Sequence, residues 1–401
     1  MKRKVGAVVV AVVAAVVLSG CVASPQGPAR DEGLESIEPI VLTVSQLASE
    51  TNTNSRAMSV WMDQVREKTN GKVDFDVHYN GTLIPAAESL SGLQAGVADI
   101  GFVAVFQNPE QFPLGDWNAK LDEVLVPRGY PEAALVGSAA GMVRSETGPA
   151  RDELSKLGIE PLLSAVVTHQ PTICTKPVSS LTDASGVLVR TGGQPWAGEG
   201  EALGMTNVTV PFTEVYEAMQ RGVVECVNTG PVVFTSTGVM EVANNVSLID
   251  SGFSSGAQMA FNKDSWDSLP LVVQQIMHDA KPAMYTEYLR ATFEAFAEFI
   301  KMAEDLDYTF NDTTELDAKL ASYRESLLEG VASAAPPGVD DADEYIAAYT
   351  KQLEGWTDVV TGVIDPVEGD AREQLLSGAD AVDWDMYESA IAKSLAEIRP
   401  R

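Results

Sequence analysis

What most constrains this chain is a hydrophobic period that switches repeatedly along it. Residues 40–44 form an apolar-rich run, and residues 51–69 carry helical spacing through Met58, Trp61, Met62 and Val65. Val73, Phe75, Val77 and Tyr79 then alternate with polar neighbours. A period near 3.6 buries one stripe of a helix, and a period of 2 buries one face of a strand. Asn70-Gly71 stops the first helix. A short helix is expected over 88–95, closed by Gly96, then a buried strand over 100–105, with Pro109 and Pro113 marking a loop. Helices near 131–145 and 149–157 precede strands near 159–167 and 171–175. This alternation predicts an α/β fold, with ligands at the carboxyl ends of strands. From 271 to 305 the pattern becomes one very long helix, which Pro282 should kink or divide. Further helices are expected over 313–331, 341–364 and 385–397. A long late helix laid across earlier α/β units suits a strut joining two lobes.

Composition narrows the functions such a fold can serve. The 401 residues, 45% of them hydrophobic, are enough for two domains or one two-lobed unit. With 27 basic and 57 acidic side chains, a net charge of -30 argues against nucleic acid, whose phosphates need clustered Lys and Arg. It argues equally against adhesion of the folded body to an anionic membrane. Three Cys and three His are too scattered for a metal framework, so neither metal nor cofactor is expected. The G-x-S-x-G, H-E-x-x-H and P-loop patterns are absent, and no enzymatic activity is expected. Asp340-Asp341 and Asp343-Glu344 read as N-capping acids of a solvated helix.

The N-terminus reads as an address. Lys2, Arg3 and Lys4 precede an uncharged run over 5–18, too short to span a bilayer but suited to an export signal. Leu18-Ser19-Gly20-Cys21 resembles the lipobox of bacterial lipoproteins, which implies removal of residues 1–20 and a diacylglycerol on the Cys21 thiol; an ordinary secretory signal with an incidental Cys is the alternative. Residues 21–38, rich in Pro, Ser, Gly, Asp and Glu, form a flexible tether. An extracytoplasmic, lipid-anchored protein follows, with its soluble body on a leash. Export leaves Cys174 and Cys226 in an oxidising compartment, where an even pair is a disulfide candidate; two buried thiols are the alternative.

The central segment carries the family signal. Gly186-Val187-Leu188-Val189-Arg190-Thr191-Gly192-Gly193 ends an apolar strand in Arg and a Gly-rich turn. Ala202-Leu203-Gly204-Met205 follows, then Val208-Thr209-Val210-Pro211-Phe212-Thr213-Glu214-Val215-Tyr216-Glu217-Ala218-Met219-Gln220-Arg221-Gly222-Val223-Val224-Glu225. Gly81-Thr82-Leu83 and Leu93-Gln94-Ala95-Gly96-Val97-Ala98-Asp99-Ile100 come earlier; Lys176-Pro177-Val178 and Leu181-Thr182-Asp183 lead into the Arg strand. Phe261-Asn262-Lys263, Trp266, Leu269 and Pro270 enter the long helix. This ordered set resembles the solute-binding proteins of tripartite (TRAP) transporters of the dicarboxylate-binding type.

The resemblance implies a two-lobed, periplasmic-binding-protein-like fold with mixed sheets and a long helix spanning both lobes. Lobe I would comprise 39–166 plus 250–268. Lobe II would comprise 167–249, with 269–401 supplying its remaining helices and those between the lobes. The partners implied are an organic carboxylate and a membrane permease. Arg190 is the expected carboxylate ligand, since guanidinium binds carboxylate through a rigid two-pronged fork. Asn228 or Thr229 would assist, because Glu225-Cys226-Val227-Asn228-Thr229-Gly230-Pro231 slips by one against the family pattern. Where some members carry a second Arg, this chain has Gln170 beside His169, so a two-Arg clamp is missing. Phe212, Trp196, Phe102 and Phe106 are candidate walls, or ordinary core. A site with more aromatic and fewer cationic groups favours a monocarboxylate with an apolar body. A binding protein for an ABC importer or a sensor kinase would share these physics with another partner. An exported hydrolase would need a catalytic motif that the sequence does not supply.

Overall fold

The computed structural model describes residues 33–105, 108–167, 170–193, 196–211 and 214–401. In chain order, β1 (Ile40–Ser45), α1 (Thr53–Lys68), β2 (Val73–His78), α2 (Ser89–Gln94) and β3 (Ile100–Ala104) open the fold. Next come α3 (Pro113–Leu125), α4 (Glu132–Glu146), α5 (Gly148–Lys156) and β4 (Ile159–Val167). The second unit runs β5 (Thr172–Cys174), α6 (Leu181–Ala184), β6 (Leu188–Arg190), α7 (Trp196–Ala202), β7 (Thr206–Asn207), α8 (Val215–Gln220), β8 (Cys226–Asn228), α9 (Pro231–Ser236) and β9 (Asn245–Ser247). The chain then returns through β10 (Ser254–Asn262), α10 (Lys263–Ser268), α11 (Leu271–Asp279), α12 (Lys281–Asp305) and β11 (Thr309–Phe310). It ends in α13 (Thr314–Val331), α14 (Ala342–Thr361), α15 (Ala371–Ser377) and α16 (Trp384–Ala396).

Two mixed sheets result, and they define a two-lobed α/β fold. One has the order β2-β1-β3-β10-β4, the other β11-β9-β5-β8-β6-β7. In the first, β1 pairs parallel with β2 and β3, whereas β10 runs antiparallel between β3 and β4. The chain passes between the sheets after β4, after β9 and, through α10–α12, after β10; the first two passages lie side by side. Ser251 ties these two crossings together: its hydroxyl accepts from the Gln170 N–H at 3.0 Å.

Local chemistry accounts for most boundaries. The Asn52 side chain caps α1 by accepting from the Asn54 N–H, and Asn70 and Gly71 end it with φ of 52° and 75°. The buried stripe of α1 carries Trp61, whose indole donates to the Met277 carbonyl at 2.9 Å and packs on Phe75 and Phe261. Pro113 opens a helix where a loop was expected: proline is tolerated in a first turn, where its missing N–H has no intrahelical partner anyway. The late helical run is divided rather than continuous. It breaks at Ala280, and Pro282 lies in the first turn of α12. With 25 residues, α12 is about 37 Å long and packs on α1, β4, α9, α15 and α16. Asp341 caps α14 by accepting from the Glu344 N–H, the N-capping role expected for that acidic stretch.

The C-terminal helices cover α3, α4 and α12. Tyr387 donates to the Leu135 carbonyl, the Trp117 indole to the Val331 carbonyl, and Tyr345 to Asn118 Oδ1. Arg144 pairs with Asp122 at 2.6 Å beneath the Tyr349 ring. Nearly every residue of α4 is buried as a consequence.

Cys174 and Cys226 face each other across the β5–β8 ladder, Cα atoms 4.1 Å apart, and are joined by a disulfide. Closing a loop of 52 residues is worth roughly 3–4 kcal/mol in the chain-entropy model. Reduction is therefore expected to lower the midpoint of denaturant unfolding, with loss of about that free energy. Equal midpoints with and without reductant would contradict this.

Candidate functional site

The site is built at one end of the interior strands β5, β8 and β6 of the second sheet. β6 and β8 run parallel and place Arg190 opposite Val227, so Arg190 and Asn228 emerge together at the carboxyl ends of their strands. Antiparallel β5 brings Thr172 level with Asn228. Arg190 is 9% exposed, and its Nε donates to the Val210 carbonyl at 3.2 Å. No carboxylate among the described residues pairs with it. Burial without a counter-charge pulls its pKa below the usual guanidinium value.

The neighbouring polar groups differ in what they have left to offer. The Asn228 amide group donates to the Gln170 carbonyl at 2.8 Å and to Thr172 Oγ1 at 3.0 Å, which leaves only its Oδ1 uncommitted. Thr229 donates its backbone N–H to the Pro171 carbonyl at 3.3 Å, and its hydroxyl makes no hydrogen bond to the described residues. Gln170 is buried with an unpartnered Oε1. A Cβ placed on Gly192 would lie 3.8 Å from that oxygen and 3.6 Å from the Trp196 ring, so Gln170 and Trp196 flank the glycine turn. Trp196 is fully buried, and its indole N–H donates to the Gly252 carbonyl at 3.1 Å. A cavity of about 20 Å³, the size of one water molecule, borders Asn228, Thr172, Thr191, Trp196 and Ser251.

Phe102 lies half-buried on β3, opposite Met259 of β10. Cys21, Phe106, His169 and Phe212 fall outside the described residues. Two further polar residues escaped sequence reasoning. Ser45 and Gln46, each 2% exposed, stand at the carboxyl end of β1 with Oγ and Nε2 unpartnered among the described residues. Their signal was positional: they are the first polar pair after the apolar run of the opening strand. Among the described residues there is no cluster able to hold a metal ion.

Two mixed sheets joined by crossing segments, with a long helix packed along them and a buried Arg190 that pairs with no carboxylate among the described residues, make up a two-lobed α/β class of protein. The chain belongs to the DctP family, bacterial extracellular solute-binding protein family 7, whose pattern matches residues 44–114 and 144–327. It is thus a TRAP-type extracytoplasmic solute-binding protein, a transport receptor that serves a membrane permease and not an enzyme. Among relatives, the C4-dicarboxylate-binding periplasmic protein DctP of Rhodobacter capsulatus is 26% identical over 256 residues, 63% of this chain and 73% of that one. The ectoine-binding periplasmic protein TeaA of Halomonas elongata is 31% identical over 134 residues, 32% of this chain but only 39% of its own length. A TRAP solute-binding protein from Bordetella bronchiseptica, solved with bound mandelate, superposes with a TM-score of 0.68 at 20% identity, over 79% of this chain and 99% of that one. A marine-metagenome TRAP protein in complex with pyroglutamate gives 0.67 at 19%, over 79% and 100%.

Proposed function

We propose that this receptor captures an organic monocarboxylate with a largely apolar body in the cleft between its lobes. The observation that carries this reading is Arg190, a buried guanidinium with no carboxylate beside it among the described residues. Retaining such a charge out of water is costly unless a ligand supplies the counter-ion. Thr229, whose hydroxyl makes no hydrogen bond to the described residues, is the better assistant to the carboxylate than Asn228, whose amide hydrogens are already committed. Gln170 contributes a neutral polar contact in place of a second cation. Phe102 and the Trp196 side of the glycine turn form the apolar wall. Relatives that hold mandelate and pyroglutamate give precedent for single carboxylates on this fold. Residues 39–166 plus 250–268 would close against 167–249, drying the ion pair and strengthening it.

A thermal-shift comparison of mandelate, pyroglutamate and C4-dicarboxylates with uncharged sugars tests the reading. A ligand at 100 times its Kd stabilises by about 2.7 kcal/mol, a shift of a few degrees. Stabilisation only by sugars, or far tighter binding of a small dicarboxylate, would overturn it.

The same receptor is anchored by lipid on Cys21. The support is the basic start, the short apolar run and the Leu18-Ser19-Gly20-Cys21 boundary. Mass spectrometry of the mature N-terminal peptide should find a diacylated Cys21, and Cys21→Ser should release the protein from the membrane fraction. An unmodified Cys21 would exclude the anchor.

A further inference from the structure

Beneath the candidate site lies a second group of buried charges that ligand capture does not use. Glu123 of α3 and Glu199 of α7 approach each other over Gly252, in the crossing that leads from β9 to β10. A Cβ on Gly252 would lie 2.9 Å from Glu123 Cγ and 3.3 Å from Glu199 Oε1. Glu199 accepts the Gly252 N–H at 2.8 Å, while the Gly252 carbonyl takes the Trp196 indole. Glu123 is 1% exposed, and neither of its carboxyl oxygens has a hydrogen-bond partner among the described residues.

The nearby cations are engaged mainly with Asp250, Asp116 and backbone carbonyls. Arg128, in the loop after α3, donates to the Ser251 and Glu123 carbonyls and stands 3.6 Å from Asp250. Arg324 of α13 donates to the Asp250 carbonyl and carboxylate at 2.8 and 2.9 Å, and reaches Glu199 only at 3.5 Å. Lys120 of α3 pairs with Asp116. Asp317 of α13 accepts from the Asp250 N–H and the Thr313 hydroxyl. Tyr323 of α13 and Glu201 of α7 complete the titratable surroundings.

We propose that Glu123 and Glu199 can both stay buried beside Gly252 only while at least one of them is protonated, and that loss of that proton loosens the packing of α3 and α7 around Gly252 under the ligand site. Two carboxyls facing one glycine in a dry setting cannot both ionise without a large cost. Burial, then the repulsion of Glu199, raises the Glu123 pKa to about 8; burial raises that of Glu199. The sign follows from linkage. Because the folded-state pKa lies above the ordinary 4.5, the stabilisation is complete below that value and is lost as pH rises through about 8. The latch would respond over the range in which an exported protein meets external pH.

The test uses the full mature protein and Glu123→Gln, which is neutral at every pH. Thermal midpoints between about pH 5.5 and 9 should fall by several degrees more in the wild type than in the variant. Infrared spectra of the wild type should show a protonated buried carboxyl at neutral pH that disappears by about pH 9, as the radius of gyration rises. Parallel pH profiles of the two proteins would overturn the proposal. So would a wild-type spectrum with no protonated carboxyl, a reading that stands even if the variant does not fold. A titrating band with an unchanged radius would overturn the latch.

Discussion

Replacing Arg190 with Ala or Met should abolish carboxylate binding while leaving the unliganded protein as stable as before, or more so. The two effects diverge because Arg190 makes one hydrogen bond, to the Val210 carbonyl, and has no carboxylate partner among the described residues. Removing a buried charge with no counter-ion relieves a desolvation cost. Removing it from a ligand's carboxylate costs about 2–5 kcal/mol, roughly 30-fold to several thousand-fold in Kd. Calorimetric titration with thermal unfolding of wild type and variants reads both. A structural Arg would give the opposite pattern: a lower midpoint and little change in affinity.

Ending the chain at Ala335 should leave a protein that cannot fold in soluble form. The family match stops at residue 327, so such a chain retains everything the family pattern recognises. Yet the helices beyond it bury Tyr349, Leu353, Trp356, Leu375, Tyr387 and Ile391 against the rest of the molecule. At about 1.5–3 kcal/mol for each large side chain, the loss is on the order of 10 kcal/mol, comparable to the whole stability of a typical domain. It also uncovers α4, whose apolar residues face every direction. Expression in the soluble fraction and the cooperativity of unfolding would measure this. A soluble monomer with an unchanged midpoint would refute it.

How much of this was legible in the sequence differed by element. Strands and helices with a clear period, such as β2 and α1, lay where their spacing put them, because a buried face dictates residue type at each position. The Arg strand could be read from its motif. Helix α3 was hidden, since prolines near a loop mark a stop and a helix start equally well, and only tertiary packing distinguishes them. The division after α11 was half-visible: Pro282 pointed to it, but the break falls at Ala280, where the proline ring no longer has a preceding turn to clash with. Ser45 and Gln46 offered only their position after the opening strand, because an ordinary polar pair becomes notable only when burial leaves its atoms unpartnered. The Glu123–Glu199 approach joins residues far apart in sequence through the crossing at Gly252, and no local pattern encodes it.

The position of β10 dictates an order of assembly. This strand lies between β3 and β4, although it is made only after all of the second sheet except β11. A chain that crosses a membrane from its N-terminus first delivers β3 and β4 before the strand that separates them. Until then both carry open hydrogen-bonding edges, a state prone to wrong pairing. Non-local closure of this kind is slow. The first sheet consequently stays open while most of the second is delivered, and the newly exported chain depends on being kept from its neighbours until residues 254–262 arrive.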